Sequence, residues 1–391
     1  MMEITFDRLI EPVGRDRFFE EYYGKTWLHV KGAREISDQV MSWDELGRLM
    51  SMRAIWSPAT FRVMLDRKAL KTEDYCSPLL ATGGASQMRP DPKKLGPLIR
   101  RGVSIVLNDV STHTAGAAAV ADALQDATGG SAQSNLYFSM SQRQAFGPHN
   151  DAHDVFALHC CGEKVWHIYE TKEDSPIAHP RFQRSFEESA KMAGPKVAEV
   201  KMEPGDLLYI PRGQFHDALA SQNGAVHIAF GVTMPKMIDL LTPLWEASVS
   251  SAKMRADLPV KPDVEQLSRV LSDMGDELKR ISQSPQMLRM CETLLAGFGY
   301  ENDYLDLESL LEGETSYKVN GDIRFTKVQG KPVLARGKEG VEVPGEMVEQ
   351  VAWVMGREQM RDSDLAHAFP AMADSERQEF IGSLLRMNVL R

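Results

Sequence analysis

Three residues carry the most specific chemistry in the chain: His149, Asp151 and His216. The first two lie in Gly147-Pro148-His149-Asn150-Asp151. A spacing of two puts both side chains on one face of a strand. One imidazole and one carboxylate on one face can share a single ion, and a third ligand must come from elsewhere. His216 closes the run PGDLLYIPRGQFH (204–216). Its PGD turn starts a strand and its PRG ends one, which places the histidine at a barrel rim. Two histidines and one carboxylate make the facial triad of non-haem Fe(II) oxygenases, with three coordination positions left for cosubstrate and O₂. A lone His-x-Asp is frequent by chance. Followed at barrel spacing by PGDxLYxPRGxxH, it is far more specific. Seven of the ten histidines fall between His149 and His227, so metal chemistry is sought there. His153 stands four residues from His149, a helical rather than a strand spacing, and is expected at the surface. Cys160 and Cys161 are expected to be core hydrophobes rather than ligands. His159 and His167 carry no assignable role.

These residues need a scaffold, and the punctuation of the chain supplies one. Short apolar runs broken by Gly and Pro occupy Asn135–Met140, Val155–Cys161, Val165–Glu170, Val197–Met202, Asp206–Pro211 and Val226–Val232. Such runs suggest an all-β barrel or sandwich. Ahead of them the chain reads as mixed α/β: a helical DRFFEEYY (16–23), a strand at Trp27–Val30, and a capping box at Ser42–Glu45 that opens a helix. An Ala-rich helix over Thr112–Thr128 stops at Gly129-Gly130. After Pro235, apolar residues recur at spacings of three and four from Val264 through Leu267, Leu271, Met274 and Leu278 to Ile281. That pattern predicts an amphipathic helix packed within the chain or on a second subunit. The final stretch combines strands at Tyr317–Val319, Ile323–Lys327 and Pro332–Ala335 with a helix from Gly345 to Met355 and a last helix opened by a capping box at Ser375–Gln378. This combination suggests a winged helix.

Composition narrows the function classes. The 391 residues carry 45 Lys+Arg and 55 Asp+Glu, a net charge of −10, which argues against nucleic acid or anionic membranes as the main partner. Glu301–Arg391 holds 11 basic and 17 acidic residues, a net of −6. DNA binding by the winged helix is therefore not expected, and a structural or protein-contact role is. Four cysteines without a CxxC, and no apolar run near the start, suggest a reduced, cytoplasmic protein with no signal peptide and no membrane span.

Two segments then carry a family resemblance. GPHNDAHDVFALHCCGEKVW followed by PGDLLYIPRGQFH resembles the JmjC (cupin-type) 2-oxoglutarate oxygenases, most closely the ribosomal-oxygenase group. The opening FFEEYYGKTWLHVKG and the order of parts follow that group as well. The resemblance implies a mainly β double-stranded β-helix with flanking helices, a helical dimerisation segment and a C-terminal winged helix. The implied boundaries are 1–90 for an N-terminal α/β extension, 91–235 for the barrel, 236–300 for the helical segment and 301–391 for the winged helix. It further implies Fe(II), O₂ and 2-oxoglutarate as reactants, with a side chain of a protein hydroxylated and succinate and CO₂ released. His149, Asp151 and His216 become the iron ligands. Lys164 becomes the partner of the distal carboxylate of 2-oxoglutarate, a role that also makes sense for a fixed cation in a low-dielectric barrel. Lys164 shares strand parity with Trp166, so both could face inward. Taken alone, Lys164 would read as a solvated hairpin residue. Asn135, Tyr137 and, more weakly, Thr233 fall where the group contacts the cosubstrate, although ordinary strand polarity explains them too.

Three rivals stay open. A cupin enzyme could hold Zn²⁺, Mn²⁺ or Ni²⁺ on the same ligands without 2-oxoglutarate. A noncatalytic protein could use the winged helix as a binding module. The same oxygenase chemistry could serve a free or carrier-bound amino acid instead of a ribosomal protein.

Overall fold

The computed structural model describes residues 4–32, 34–80, 86–140, 147–296, 298–299, 315–320, 323–328, 330–336, 339–357, 359–387 and 389–390. The chain folds as two compact units, Met1–Asn302 and Asp303–Arg391.

The first unit is built on one antiparallel sheet of nine strands. In chain order these are β1 (Leu28–Val30), β2 (Phe61–Leu65), β3 (Lys68–Ala69), β6 (Ser104–Asn108), β7 (Ser131–Ser139), β8 (Asp154–Lys172), β9 (Lys196–Met202), β10 (Leu207–Ile210) and β11 (Gln214–Thr233). A separate hairpin, β4 (Cys76–Leu80) with β5 (Ser86–Pro90), lies between β3 and β6. The sheet order is β1-β10-β8-β11-β7-β6-β2-β3, with β9 also paired to β8.

The two long strands organise everything else. The runs Val155–Cys161 and Val165–Glu170 are one strand, β8, because Gly162 bends the chain without ending it. Gly162 has φ +71°, and a Cβ there would lie 2.0 Å from the Gly224 carbonyl oxygen. Only glycine accepts both the conformation and the approach. β11 follows β8 along both halves, from His216 opposite Ile168 to Val232 opposite Asp154, with its register shifting between Ala220 and Ala225.

Alternation along these strands divides the faces. Phe156, Leu158, Val226, Ile228 and Phe230 point into the main core, where they meet Phe6, Phe18 and Phe61 from the first ninety residues. The N-terminal segment and the barrel thus share one core. An aromatic cluster anchors it: Phe18 packs on Tyr209 at 5.0 Å and Phe156 on Tyr209 at 4.9 Å between ring centroids. Each such ring contributes about 1.5–3 kcal/mol by burial alone. Phe18 belongs to a π-helical turn, Phe18–Tyr22, that follows a short helix at Arg15–Arg17. That turn places Phe18 in the core, with Phe19, Tyr22 and Tyr23 partly buried against it. The Ala-rich helix spans Ala115–Thr128; the Thr114 hydroxyl accepts from the Ala117 N–H, and Gly129 ends the helix in the left-handed conformation. The helix at Trp43–Ser51 forms only half of its expected capping box. Ser42 Oγ accepts from the Glu45 N–H at 3.1 Å, while the Glu45 carboxylate turns to Arg48 instead.

Three helices follow the sheet: Leu241–Val249, Val264–Ser282 and Pro285–Ala296. The stripe on the second of them is covered only at its C-terminal end, where Ile281 packs with Ala247 and Met287. Val264 remains 84% exposed and Leu271 60% exposed.

The second unit contains β12 (Ser316–Lys318) paired to β16 (Gln359–Arg361), and a three-stranded sheet of β13 (Arg324–Val328), β14 (Lys331–Arg336) and β15 (Glu339–Glu342). Val351, Val354, Phe380, Ile381 and Leu384 fill its core. Its last helix, Asp374–Arg386, starts one residue before the expected cap. The Glu376 carboxylate accepts the Ala373 N–H at 3.0 Å, so Ser375 lies inside the first turn. Among the described residues no helix is long and apolar enough to cross a membrane.

Candidate active site

His149 precedes β8 and His216 lies near the start of β11. A short antiparallel bridge joins their backbones, with N–H to carbonyl distances of 3.1 and 2.8 Å. The ring centroids are 4.6 Å apart. Each Nδ1 has a backbone carbonyl within reach: Gly147 at 2.9 Å for His149 and Gln214 at 2.9 Å for His216. A carbonyl only accepts, so each Nδ1 carries the proton and each Nε2 presents a lone pair. Asp151 brings Oδ2 to 3.5 Å from His216 Nε2. One donor atom from each of the three residues lies within 4.8 Å of the others.

The turn after β10 completes this arrangement. Gly213 donates its N–H to the Asp151 carbonyl at 3.0 Å. It has φ +85°, and a Cβ there would meet the Glu173 carbonyl oxygen at 2.1 Å. The glycine of PRG is thus required to hold the two motifs together. Burial works against the Asp151 carboxylate, but His149, His153 and His216 outweigh it and hold its pKa below the ordinary value. Burial first, then His149, lowers His216 to about 4. A carboxylate beside a neutral imidazole is the protonation state a metal requires of its ligands.

The triad opens into a cavity of about 300 Å³. Lys164 lines it and is 5% exposed, so it is no solvated hairpin residue. Its Nζ donates to His227 Nδ1 at 3.2 Å. Burial pulls the lysine down to about 7. Burial first, then Lys164, holds His227 well below the usual imidazole value. Trp166 lines the same wall, and its buried indole N–H finds no acceptor among the described residues. Asn135 and Tyr137, two apart on β7, both reach the cavity. Tyr137 lies flat on His227, with centroids 4.9 Å apart and planes at 6°, and burial followed by Asp151 raises its hydroxyl to about 12.

Other expected residues are placed differently. Thr233 ends β11 opposite Ser131 and is not part of the cavity lining. His153 is half-buried rather than exposed. It lines the cavity, its Nδ1 donating to the Asp154 carbonyl at 3.1 Å, with its ring against Gly231. It stays outside the metal-ligating group. His159 is a core residue, with Nε2 at 3.0 Å from the Gly162 carbonyl and burial lowering it to about 4. His167 pairs with buried Asp217 at 2.8 Å, and Tyr169 donates to the other oxygen of that carboxylate at 2.6 Å. Cys160 and Cys161 are buried outside the cavity, and burial raises both thiols, Cys161 to about 11.

Sequence reading passed over Arg62 and His227. Arg62 reaches the cavity from β2, and nothing local to Arg62 announces it. His227 did leave a signal. His227, Ala229 and Gly231 alternate with Val226, Ile228, Phe230 and Val232, a small-or-polar face set against a large apolar one. The first face lines the cavity and the second fills the core.

Comparison with known proteins agrees with this geometry. Residues 110–240 match the JmjC domain family. The chain carries a JmjC domain. The matched span runs from Val110 through β7 to β11 and ends at Leu240, so it includes the triad and Lys164 but not Arg62. The chain is 25% identical over 264 residues to the bifunctional lysine-specific demethylase and histidyl-hydroxylase NO66 of Drosophila grimshawi, covering 64% of this chain and 34% of that protein. It is 37% identical over 95 residues to ribosomal oxygenase 1 of Rattus norvegicus, covering 24% and 16%. The chain spans about a third of the length of the first of these relatives. Around its JmjC domain the fold is similar to that of Escherichia coli YcfD, with a TM-score of 0.55 at 16% identity over 96% of this chain and 97% of that one. A structure of the same Escherichia coli ribosomal oxygenase in complex with cobalt and 2-oxoglutarate gives a TM-score of 0.53 at 15% identity, with the same coverage.

Proposed function

We propose that the chain is an Fe(II)- and 2-oxoglutarate-dependent oxygenase that hydroxylates a side chain of a polypeptide, with ribosomal proteins the first substrates to test. The carrying observation is the triad itself: two histidines locked by backbone carbonyls into the metal-binding tautomer, with a carboxylate beside them, lining a cavity that a buried lysine also lines.

The residues fit the group they would hold. His149 Nε2, Asp151 and His216 Nε2 would bind Fe(II) on one face. Bound iron would supply the activation of O₂, coupled to oxidation of 2-oxoglutarate to succinate and CO₂. Lys164 would pair with the distal carboxylate of 2-oxoglutarate, restoring an ammonium that burial alone disfavours. His227 positions that ammonium by accepting from it. Asn135 and Tyr137 would contact the cosubstrate, whose oxygens could also satisfy the Trp166 N–H. Arg62 adds a second cation at the rim. A metal-only cupin activity has no use for a buried lysine at this depth, which favours the 2-oxoglutarate reading. Thr233, which stands outside the cavity lining two residues past Gly231, is the weakest of the candidate cosubstrate contacts.

Beyond the sheet, the exposed stripe on Val264–Ser282 supports a homodimer through the 236–300 segment. We assign the acidic 301–391 unit a winged-helix fold used for protein contact, not DNA, and place the protein in the cytoplasm. The test is anaerobic Fe(II) loading followed by O₂ and 2-oxoglutarate with succinate measured. Mass spectrometry of ribosomes from a deletion strain then looks for one missing oxygen atom. Unchanged ribosomal proteins would move the substrate to a free or carrier-bound amino acid.

A further inference from the structure

A second, larger cleft of about 650 Å³ adjoins the triad cavity, and His153 lines both. Three cations line the cleft: Lys172 at the end of β8, Arg212 in the PRG turn and Lys236 after β11. Two carboxylates, Asp154 and Asp174, accompany them and leave one positive charge in excess. Asp154 Oδ1 already accepts from the Tyr209 hydroxyl at 2.7 Å and the Arg212 backbone N–H at 3.2 Å, and Asp154 is buried. Asp174 is exposed and accepts from Ser175. Lys172 Nζ donates to the Gly24 carbonyl and Lys236 Nζ to the Met234 carbonyl at 3.1 Å. The Arg212 guanidinium has no partner among the described residues. Burial lowers both lysines below the ordinary value; Arg212 adds to it, while Asp154 with Asp174 at Lys172, and Asp239 with Asp154 at Lys236, work the other way. An excess of positive charge in a concave site favours an entering anion.

We propose that this cleft is a substrate subsite that binds a carboxylate of the polypeptide, with Arg212 as its bidentate anchor. The carboxylate comes from an acidic side chain near the modified residue or from the chain's C-terminus. The modified residue enters the triad cavity past His153, and the carboxylate stays behind in the outer cleft. Arginine's planar fork matches a carboxylate. Met234, Met237 and Ile238 line the same cleft and suit the apolar part of a peptide. The net charge of −10 opposes a phosphodiester chain as the occupant. This inference rests on the reading of the chain as a polypeptide oxygenase and names which polypeptides it would take.

The test incubates the full-length, Fe(II)-loaded protein and 2-oxoglutarate with two pools of short random peptides, one amidated at the C-terminus and one free. Bound and hydroxylated members are sequenced by mass spectrometry. The bound pool should be enriched about tenfold in carboxylates, as one charge-assisted pair gives. Enrichment in Asp and Glu from the amidated pool identifies a side chain. Enrichment of the free pool alone identifies the C-terminus. Arg212→Gln should abolish the enrichment, Arg212→Lys should keep part of it, and Lys236→Gln should weaken it, all with unchanged iron binding. No enrichment, or enrichment that survives Arg212→Gln, overturns the proposal. So does an oligouridylate that binds more tightly than the peptides in an Arg212-dependent way. Carboxylate enrichment without any hydroxylated peptide upholds the cleft and removes the polypeptide-oxygenase reading.

Discussion

Two adjoining cavities of one barrel are finished to different degrees. In the inner one, His149 and His216 are held by backbone carbonyls and Lys164 by His227. In the outer one, the Arg212 guanidinium has no hydrogen-bond partner among the described residues, and two lysines donate to backbone carbonyls. A metal and a small dianion need geometry fixed in advance, because any reorientation is charged against affinity. A variable peptide instead needs unspent charge at a rim. The difference teaches that a recognition site is read from what its groups lack, and a metal site from what its groups already have.

The comparison breaks most severely if the inner cavity is not prebuilt for metal. His149→Ala or His216→Ala should weaken iron binding by more than about 100-fold, since even outer partners of a ligand are worth about 10–100-fold; equilibrium dialysis with Fe(II) under argon checks this. Wild-type affinity in either variant removes the triad. Next comes the buried cation. Lys164→Met should weaken 2-oxoglutarate binding by about 30-fold or more, the usual scale for deleting one partner of a buried charge pair, while leaving iron affinity unchanged in the same dialysis.

Lys164 also sharpens the comparison through pH. Its folded-state value is lowered to about 7, so the cosubstrate-free protein loses the ammonium as pH rises through that point. Binding a dianion then requires proton uptake. Calorimetry should show 2-oxoglutarate affinity falling above about pH 7, with a limiting slope of about tenfold per unit. Lys164→Arg, charged throughout, should flatten the profile. The smallest effect belongs to the residue between the cavities. His153→Ala should change iron affinity by less than about threefold, within the range of a substitution that removes no ligand. Loss of iron binding there would make His153 a ligand and merge the two sites.

The triad was legible because its residues sit in two short motifs, each with its own turn chemistry. Lys164 was legible by strand parity with Trp166, and both line the cavity. What escaped depended on pairing across the sheet or on local irregularity. Arg62 arrives from β2, two strands away from β7 through β6, and no spacing along the chain encodes that. His153 was misplaced because residues 151–153 form an irregular turn rather than a strand, so a spacing argument did not apply. Thr233 has the same parity as His227 and Gly231 but stands outside the cavity lining, because parity fixes a face and not a distance along it. A glycine between two apolar runs suggests a stop; the positive φ of Gly162 instead lets one strand turn a corner.

The bridge between His149 and His216 also has a consequence for timing during synthesis. A chain emerging in order presents His149 and Asp151 first, then β8, β9 and β10, and the third ligand only with β11. Pairing across so long an interval forms late in folding. On the proposed assignment a nascent chain would hold two loose ligands, and a metal would be tightly bound only once β11 has closed on β8. The metal would then be admitted only after the walls around it are in place.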